Sequence, residues 1–162
     1  MILDKETASK KLKRIALEIA ERNHHQKELI LIGIKENGIV IARIIEKHLK
    51  EFFSGSVKTL ELSMNKKNPS EIFLSETISF DGKAVLLIDD VANSGKTILY
   101  ALKPIINQHP SQIETAVLVE RTYKKFPVAI NYVGISVSTT KQENIIVDVN
   151  STEVLGAHIS NA

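Results

Sequence analysis

Residues 85–97, VLLIDDVANSGKT, constrain the fold more than any other segment. An aliphatic run of the kind that forms a strand buried on both faces delivers two adjacent carboxylates, Asp89 and Asp90, and Ser94, Gly95, Lys96 and Thr97 then open a helix. Strand, turn and helix in this order form a crossover unit of a parallel sheet, whose ligands sit beyond the carboxyl ends of the strands. A helix start made of Ser, Gly and Thr offers unpaired backbone N–H groups and hydroxyls, which suit a phosphate monoester. Two carboxylates beside a phosphate would repel it unless they bind something else, either sugar hydroxyls or a magnesium ion. Together these features imply a phosphorylated sugar.

Two other phosphate motifs fail on spacing. Gly95, Lys96 and Thr97 spell the end of a nucleotide-binding P-loop, but the glycine required five positions earlier is Asp90. The dinucleotide fingerprint needs a Gly-x-Gly pair, and Gly33 and Gly38 stand too far apart.

Elsewhere the apolar rhythm predicts alternating helices and strands. Leu12, Ile15, Ala16, Ile19 and Ala20 mark an amphipathic helix from Thr7 to Asn23. Leu29 to Ile34 reads as a buried strand, followed by a turn and a helix from Ile39 to Lys50. Val57 to Leu62 is a candidate strand, while Ser63 to Ser75, with Lys66, Lys67 and Pro69, has no apolar rhythm and reads as a long mobile loop. Strands follow at Ala84–Ile88, Ile113–Val119, Tyr132–Val137 and Asn144–Val149. A helix spans Lys96 to Asn107, with a kink or shifted start expected at Pro104. The expected fold class is α/β, a mostly parallel twisted sheet with helices on both faces.

Composition narrows the function classes. A chain of 162 residues, 43% hydrophobic and without an internal linker or repeat, reads as a single domain over 1–162 that needs no metal or disulfide to fold. Its formal charge of +2 gives no whole-surface case for nucleic acid or membrane, so any polyanion site must be local. The basic run Lys10, Lys11, Lys13 and Arg14 reads as the polar face of the first helix. The absence of cysteine removes thiolate chemistry, and with no signal core or long apolar run the expected compartment is cytoplasmic. The five histidines show no metal spacing.

Four apolar residues, an acidic pair, two aliphatic positions, one variable position, then Ser, Gly, any residue and Thr make up the phosphoribosyl-diphosphate signature. On these residues the chain resembles the type I phosphoribosyltransferases. Within them it is similar to the pyrimidine-operon attenuators that double as uracil phosphoribosyltransferases. That likeness also draws on ILDKETASKKLKRIALEIAERN, LILIGIKENGIVIAR and AVLVERTYKKFPVAINYVGISVSTTK.

The resemblance implies a three-layer fold with a small carboxyl-terminal hood. It implies that Asp89 and Asp90 hold the ribose hydroxyls and meet Mg2+ mainly through those hydroxyls or water, that Ser94 to Thr97 (Ser94, Gly95, Lys96, Thr97) cradle the 5′-phosphate, and that Ala92 and Asn93 belong to the same binding segment. The turn Lys35, Glu36, Asn37 and Gly38 would bind diphosphate through its backbone, with a cis peptide next to the lysine. A flexible flap over about 63–77 would close on the reacting centre, and Arg121 to about Lys141 would form the hood that selects the base. Implied partners are phosphoribosyl diphosphate, a nucleobase and a nucleoside monophosphate, with RNA weakly supported and a homodimer or homotetramer expected.

The chain also departs from the pattern. Purine-salvage members carry an aspartate where Asn93 stands and a lysine where Glu120 stands, which disfavours hypoxanthine or guanine. The attenuators carry an aromatic residue at Asn93, an arginine at Asn37, and a flap opening with a Tyr-Arg-Asp-Asp-like run where this chain has LSMNKK. Two readings besides a pyrimidine phosphoribosyltransferase therefore stay open: a regulator that senses phosphoribosyl diphosphate or nucleotide and acts on RNA, and a purine-salvage enzyme. Tyr132 is read as core edge or a base-stacking ring, and Asp148 as a remote candidate for magnesium.

Overall fold

The computed structural model describes residues 1–65 and 68–161. In chain order the elements are β1 (Leu3–Asp4), α1 (Lys5–Arg22), β2 (Glu28–Ile34), α2 (Asn37–Phe52), β3 (Ser56–Asn65), β4 (Asn68–Leu74) and β5 (Ala84–Ala92). They continue with α3 (Lys96–Ala101), α4 (Lys103–Ile106), β6 (Gln112–Arg121), β7 (Tyr132–Val137), β8 (Glu143–Val149) and β9 (Val154–Asn161).

Alternation along two apolar strands builds the layers. Leu29 and Leu31 of β2, with Leu86 and Ile88 of β5, turn to one face and pack under α1 and α2, meeting Ile15, Ile19, Ile41 and Ile45. Ile30, Ile32 and Ile34, with Val85 and Leu87, turn to the other face and meet Ile98, Ala101 and Ile105 of α3 and α4. A strand with no polar residue in its run must be covered on both sides, and here it is. The six-stranded sheet has the order β4-β3-β2-β5-β6-β7, parallel except for β4. From β2 the chain goes to β3 on one side and later to β5 on the other, so the carboxyl ends of β2 and β5 flank a topological switch point.

One sequence expectation needs correction. Ser63 to Ser75 is not an irregular loop: β3 runs on to Asn65 and pairs antiparallel with β4, Ser63 facing Phe73 and Met64 facing Ile72. Partner strands satisfy the backbone there even though the side-chain pattern is irregular. Lys66 and Lys67, read as loop or flap residues, lie outside the described residues. The interruption expected at Pro104 is present: the helix over Lys96–Asn107 breaks at Leu102 into α3 and α4, with Pro104 in the first turn of α4, where its missing N–H costs nothing. Within the segment 121–141, expected to form the hood, Tyr132–Val137 is the edge strand of the main sheet. The small second sheet is β1-β9-β8, built from both ends of the chain and including two strands that the apolar pattern did not reveal.

At the end of α1 a buried polar network replaces apolar contact. The Tyr132 hydroxyl donates to Glu114 Oε1 at 2.9 Å and accepts from Asn23 Nδ2 at 3.3 Å, while Gln112 Nε2 donates to the same carboxylate at 2.9 Å. The Arg22 guanidinium lies 5.0 Å from the ring centre. Burial, reinforced by the Glu114 carboxylate, pushes the Tyr132 phenol well above the usual tyrosine value. Tyr132 is therefore a core residue rather than a stacking platform.

Candidate active site

Asp89 and Asp90 lie at the end of β5, inside the strand rather than after it. Asp89 is almost buried, 8% exposed, and its Oδ1 accepts from the Asp90 amide at 2.8 Å. Asp90 Oδ1 accepts from the Val91 amide at 2.8 Å, and Asp90 Oδ2 from Asn37 Nδ2 at 2.9 Å. Each carboxylate is oriented by a backbone donor, and each oxygen keeps lone-pair capacity for a further hydrogen bond.

Two cavities meet at these acids. The larger, about 570 Å³, is lined by Lys35, Glu36, Asn37, Ser63, Met64, Asp89 and Asp90. The smaller, about 120 Å³, is lined by Asp89 to Gly95 together with Thr97 and Ile98. The two cavities share Asp89 and Asp90, so the acid pair stands between the β2–α2 turn and the β5–α3 turn.

At one end the Lys35–Glu36 peptide is cis, in the place the resemblance implied. Gly38 follows, where a side chain would collide with the strand that carries the acids. At the other end Gly95 is left-handed, φ 85°, and starts α3. The carbonyl of Ser94 accepts from the amides of Lys125 and Phe126, both at 3.0 Å, so the segment after β6 holds this turn from behind. The Ser94 hydroxyl accepts from the Lys96 amide at 3.2 Å. With only six residues in α3, anion binding there would rest on individual amides and hydroxyls rather than on a helix dipole.

Most of the residues singled out in the sequence converge here, but Lys96, Arg121 and Asp148 do not. Lys96 is exposed, with its ammonium 6.0 Å from the Tyr100 ring, and it lines neither cavity. Arg121 turns toward the small sheet, where Nη2 donates to the Glu143 carbonyl. Asp148 pairs with His158 at 3.0 Å. Asn93 lines the smaller cavity, and its buried Oδ1 has no hydrogen-bond partner among the described residues.

Sequence reasoning also missed some neighbours. Lys124 pairs with Glu120 in a half-buried ion pair, so an ammonium stands beside the residue whose negative charge distinguishes this chain from purine-salvage enzymes. The four-residue spacing hinted at it, but helical spacing does not apply in a turn. Met64 lines the larger cavity because β3 continues past its apolar core.

The donor set suits a hard cation. No group of three or more metal-ligating side chains occurs among the described residues, and Asp89 and Asp90 are oxygen donors open to the cavities. Magnesium commonly binds through one or two carboxylates and completes its shell with water and ligand phosphates, which fits this pair.

Residues 1–153 match the phosphoribosyl transferase domain family. The chain belongs to this family of enzymes. Among particular proteins it is similar to the bifunctional protein pyrR of Enterococcus faecalis, 34% identical over 161 residues, covering 94% of this chain and 90% of the relative. The pyrimidine operon regulatory protein of Lactococcus lactis is 34% identical over 154 residues, covering 92% and 89%. Among solved structures, the hypoxanthine phosphoribosyltransferase of Trypanosoma cruzi superposes with a TM-score of 0.82 at 17% identity, covering 99% of this chain and 95% of the other. A hypoxanthine-guanine phosphoribosyltransferase from Bacillus anthracis gives 0.75 at 19%, covering 98% and 96%. At that identity the two structures establish the fold alone.

Proposed function

We propose that the protein transfers ribose 5-phosphate from phosphoribosyl diphosphate to a nucleobase, uracil or a related pyrimidine, with magnesium. The observation that carries this reading is the position of Asp89 and Asp90 at the junction of two cavities, each ending in a turn suited to phosphate oxygens. The 5′-phosphate would sit at Ser94–Thr97, the ribose hydroxyls on the acids, and the diphosphate against Lys35–Gly38.

In the reaction the bond from ribose C1 to the diphosphate oxygen breaks, a bond from C1 to a base nitrogen forms, and the proton of that nitrogen leaves to solvent. Positive charge builds on the ring as the diphosphate departs, and two carboxylates fixed by Val91, Asn37 and the Asp90 amide stabilise it without having to reorganise. Bound magnesium would supply charge neutralisation for the leaving diphosphate. The β3–β4 hairpin, whose residues Ser63 and Met64 border the larger cavity, would close over the site and exclude water.

Glu120 supports a pyrimidine over a purine, since an ionised carboxylate held by Lys124 cannot donate to a purine carbonyl. The relative named a pyrimidine operon regulatory protein supports the same choice. It also favours a second reading, a ligand-sensing regulator that acts on RNA, and Asn37 and Asn93 are consistent with reduced catalysis.

Incubation with phosphoribosyl diphosphate, magnesium and each of five nucleobases, followed by measurement of diphosphate release, decides between the readings. Turnover with uracil supports the enzyme. Ligand binding without turnover on any base, together with salt-dependent binding to leader RNA, leaves the regulator.

A further inference from the structure

Asn37 opens α2, in the turn expected to bind diphosphate, but its side chain is fully engaged elsewhere. A primary amide has two N–H donors, and here one goes to Asp90 Oδ2 at 2.9 Å and the other to the carbonyl of Val147 at 3.0 Å. What remains is the carbonyl oxygen, an acceptor that repels phosphate. The three elements joined are separate in the chain: the turn after β2, the end of β5, and β8 of the small sheet.

The consequence for Asp90 is geometric. Its Oδ1 is fixed by the Val91 amide and its Oδ2 by Asn37, so two donors from different elements set the plane of the carboxylate. A backbone donor alone would leave rotation about the Cβ–Cγ bond open. Of the side chains of this size and shape, only an amide carries two donors on one atom; aspartate has none and would set a second carboxylate against Asp90.

We propose that Asn37 is a positioning residue: it holds the Asp90 carboxylate in the orientation that accepts the ribose hydroxyls and ties that orientation to the small sheet, and its side chain is not a diphosphate ligand. The proposal rests on the reading of Asp90 as a ribose-binding acid.

The two roles differ in which ligand they affect. The test is titration calorimetry of the full chain, with magnesium, against phosphoribosyl diphosphate, ribose 5-phosphate and inorganic diphosphate, for wild type, Asn37→Ala and Asn37→Asp. Loss of a hydrogen bond to a charged group predicts dissociation constants for the two ribose ligands raised about tenfold or more, and more in Asn37→Asp than in Asn37→Ala, while in the neutral variant Asn37→Ala inorganic diphosphate stays within about twofold. In the assay the KM for phosphoribosyl diphosphate rises while the KM for the base does not, a split that a mere loss of folded protein would not produce. Equal weakening of inorganic diphosphate in Asn37→Ala makes Asn37 a diphosphate ligand and overturns the proposal, as does unchanged binding of the ribose ligands. Wild type that binds none of the three overturns the functional reading and this inference with it. Wild-type binding with unaffected variants overturns the inference alone.

Discussion

The first turn of α2 lies directly against Asp89: a Cβ placed on Gly38 would stand 2.8 Å from the carbonyl oxygen of Ile88 and 3.0 Å from Asp89 Oδ1. Two of the atoms it meets are backbone, so the strand cannot yield as a flexible side chain would. Gly38→Ala should therefore cost about 1–3 kcal/mol in strain. A lower Tm and weaker binding of phosphoribosyl diphosphate would appear together, because the helix can move only by shifting the acid. Unchanged affinity would show that Asp89 does not need this contact.

Gly95 combines two constraints that a double substitution can separate. Its φ of 85° disfavours any side chain, and a Cβ there would fall 2.7 Å from Val128 Cγ2. Gly95→Ala should destabilise by about 1–2 kcal/mol from the backbone alone, with the clash added. Adding Val128→Ala should relieve the steric part but not the conformational part, so the double variant should bind ribose 5-phosphate more tightly than Gly95→Ala and less tightly than wild type.

Replacing the acid pair by its isosteres tests the proposed chemistry. Asp89→Asn with Asp90→Asn should lower diphosphate release by roughly a hundredfold or more, with circular dichroism unchanged. Activity near the wild-type level would remove the ribose-binding role of both residues.

Alkaline pH should expose Tyr132. In the fold this phenol is held neutral by burial and by the Glu114 carboxylate, whereas unfolded it ionises near its ordinary value of about 10. Above that pH the native state binds more protons than the unfolded one. The contribution is therefore complete below about pH 10 and is lost as pH rises toward the raised native value. Tyr132→Phe should cost about 1–3 kcal/mol at pH 8 through its lost hydrogen bonds, and the gap from wild type should narrow at about pH 10.5 in urea unfolding. A gap independent of pH would mean that the phenol ionises equally well in both states.

Ligand should slow backbone exchange at the base of the β3–β4 hairpin. Ser63 and Met64 border the larger cavity, so a diphosphate-bearing ligand lying there restrains them. Hydrogen–deuterium exchange with and without phosphoribosyl diphosphate and magnesium would read this directly. No change across 60–75 would remove the hairpin from the closing step.

The parallel core was legible because LILIGI and AVLLI leave no polar residue to mark a solvent face, which forces burial on both sides. The two strand-to-helix turns beside the acids were legible too, since a glycine among polar residues ends each apolar run, at 35–38 and at 93–95. The edges were not. The strand β4 carries Pro69 and Glu71, and β9 mixes Gly156 and His158 with its aliphatics, so their existence rests on backbone pairing rather than on apolar alternation. Arg121 was expected at the site and turns to Glu143 instead. The role of Asn37 depends on Val147, 110 positions away, a register no local pattern encodes.

The pairing of Leu3 with Ala157 has a consequence for how the molecule is made. During synthesis the central sheet can assemble as its strands emerge from the ribosome, but β1 has nothing to pair with until β9 has left the exit tunnel. The strand whose Val147 carbonyl receives Asn37 pairs with β9 as well, so the small sheet that clasps Asn37 forms after the central sheet in the order of synthesis.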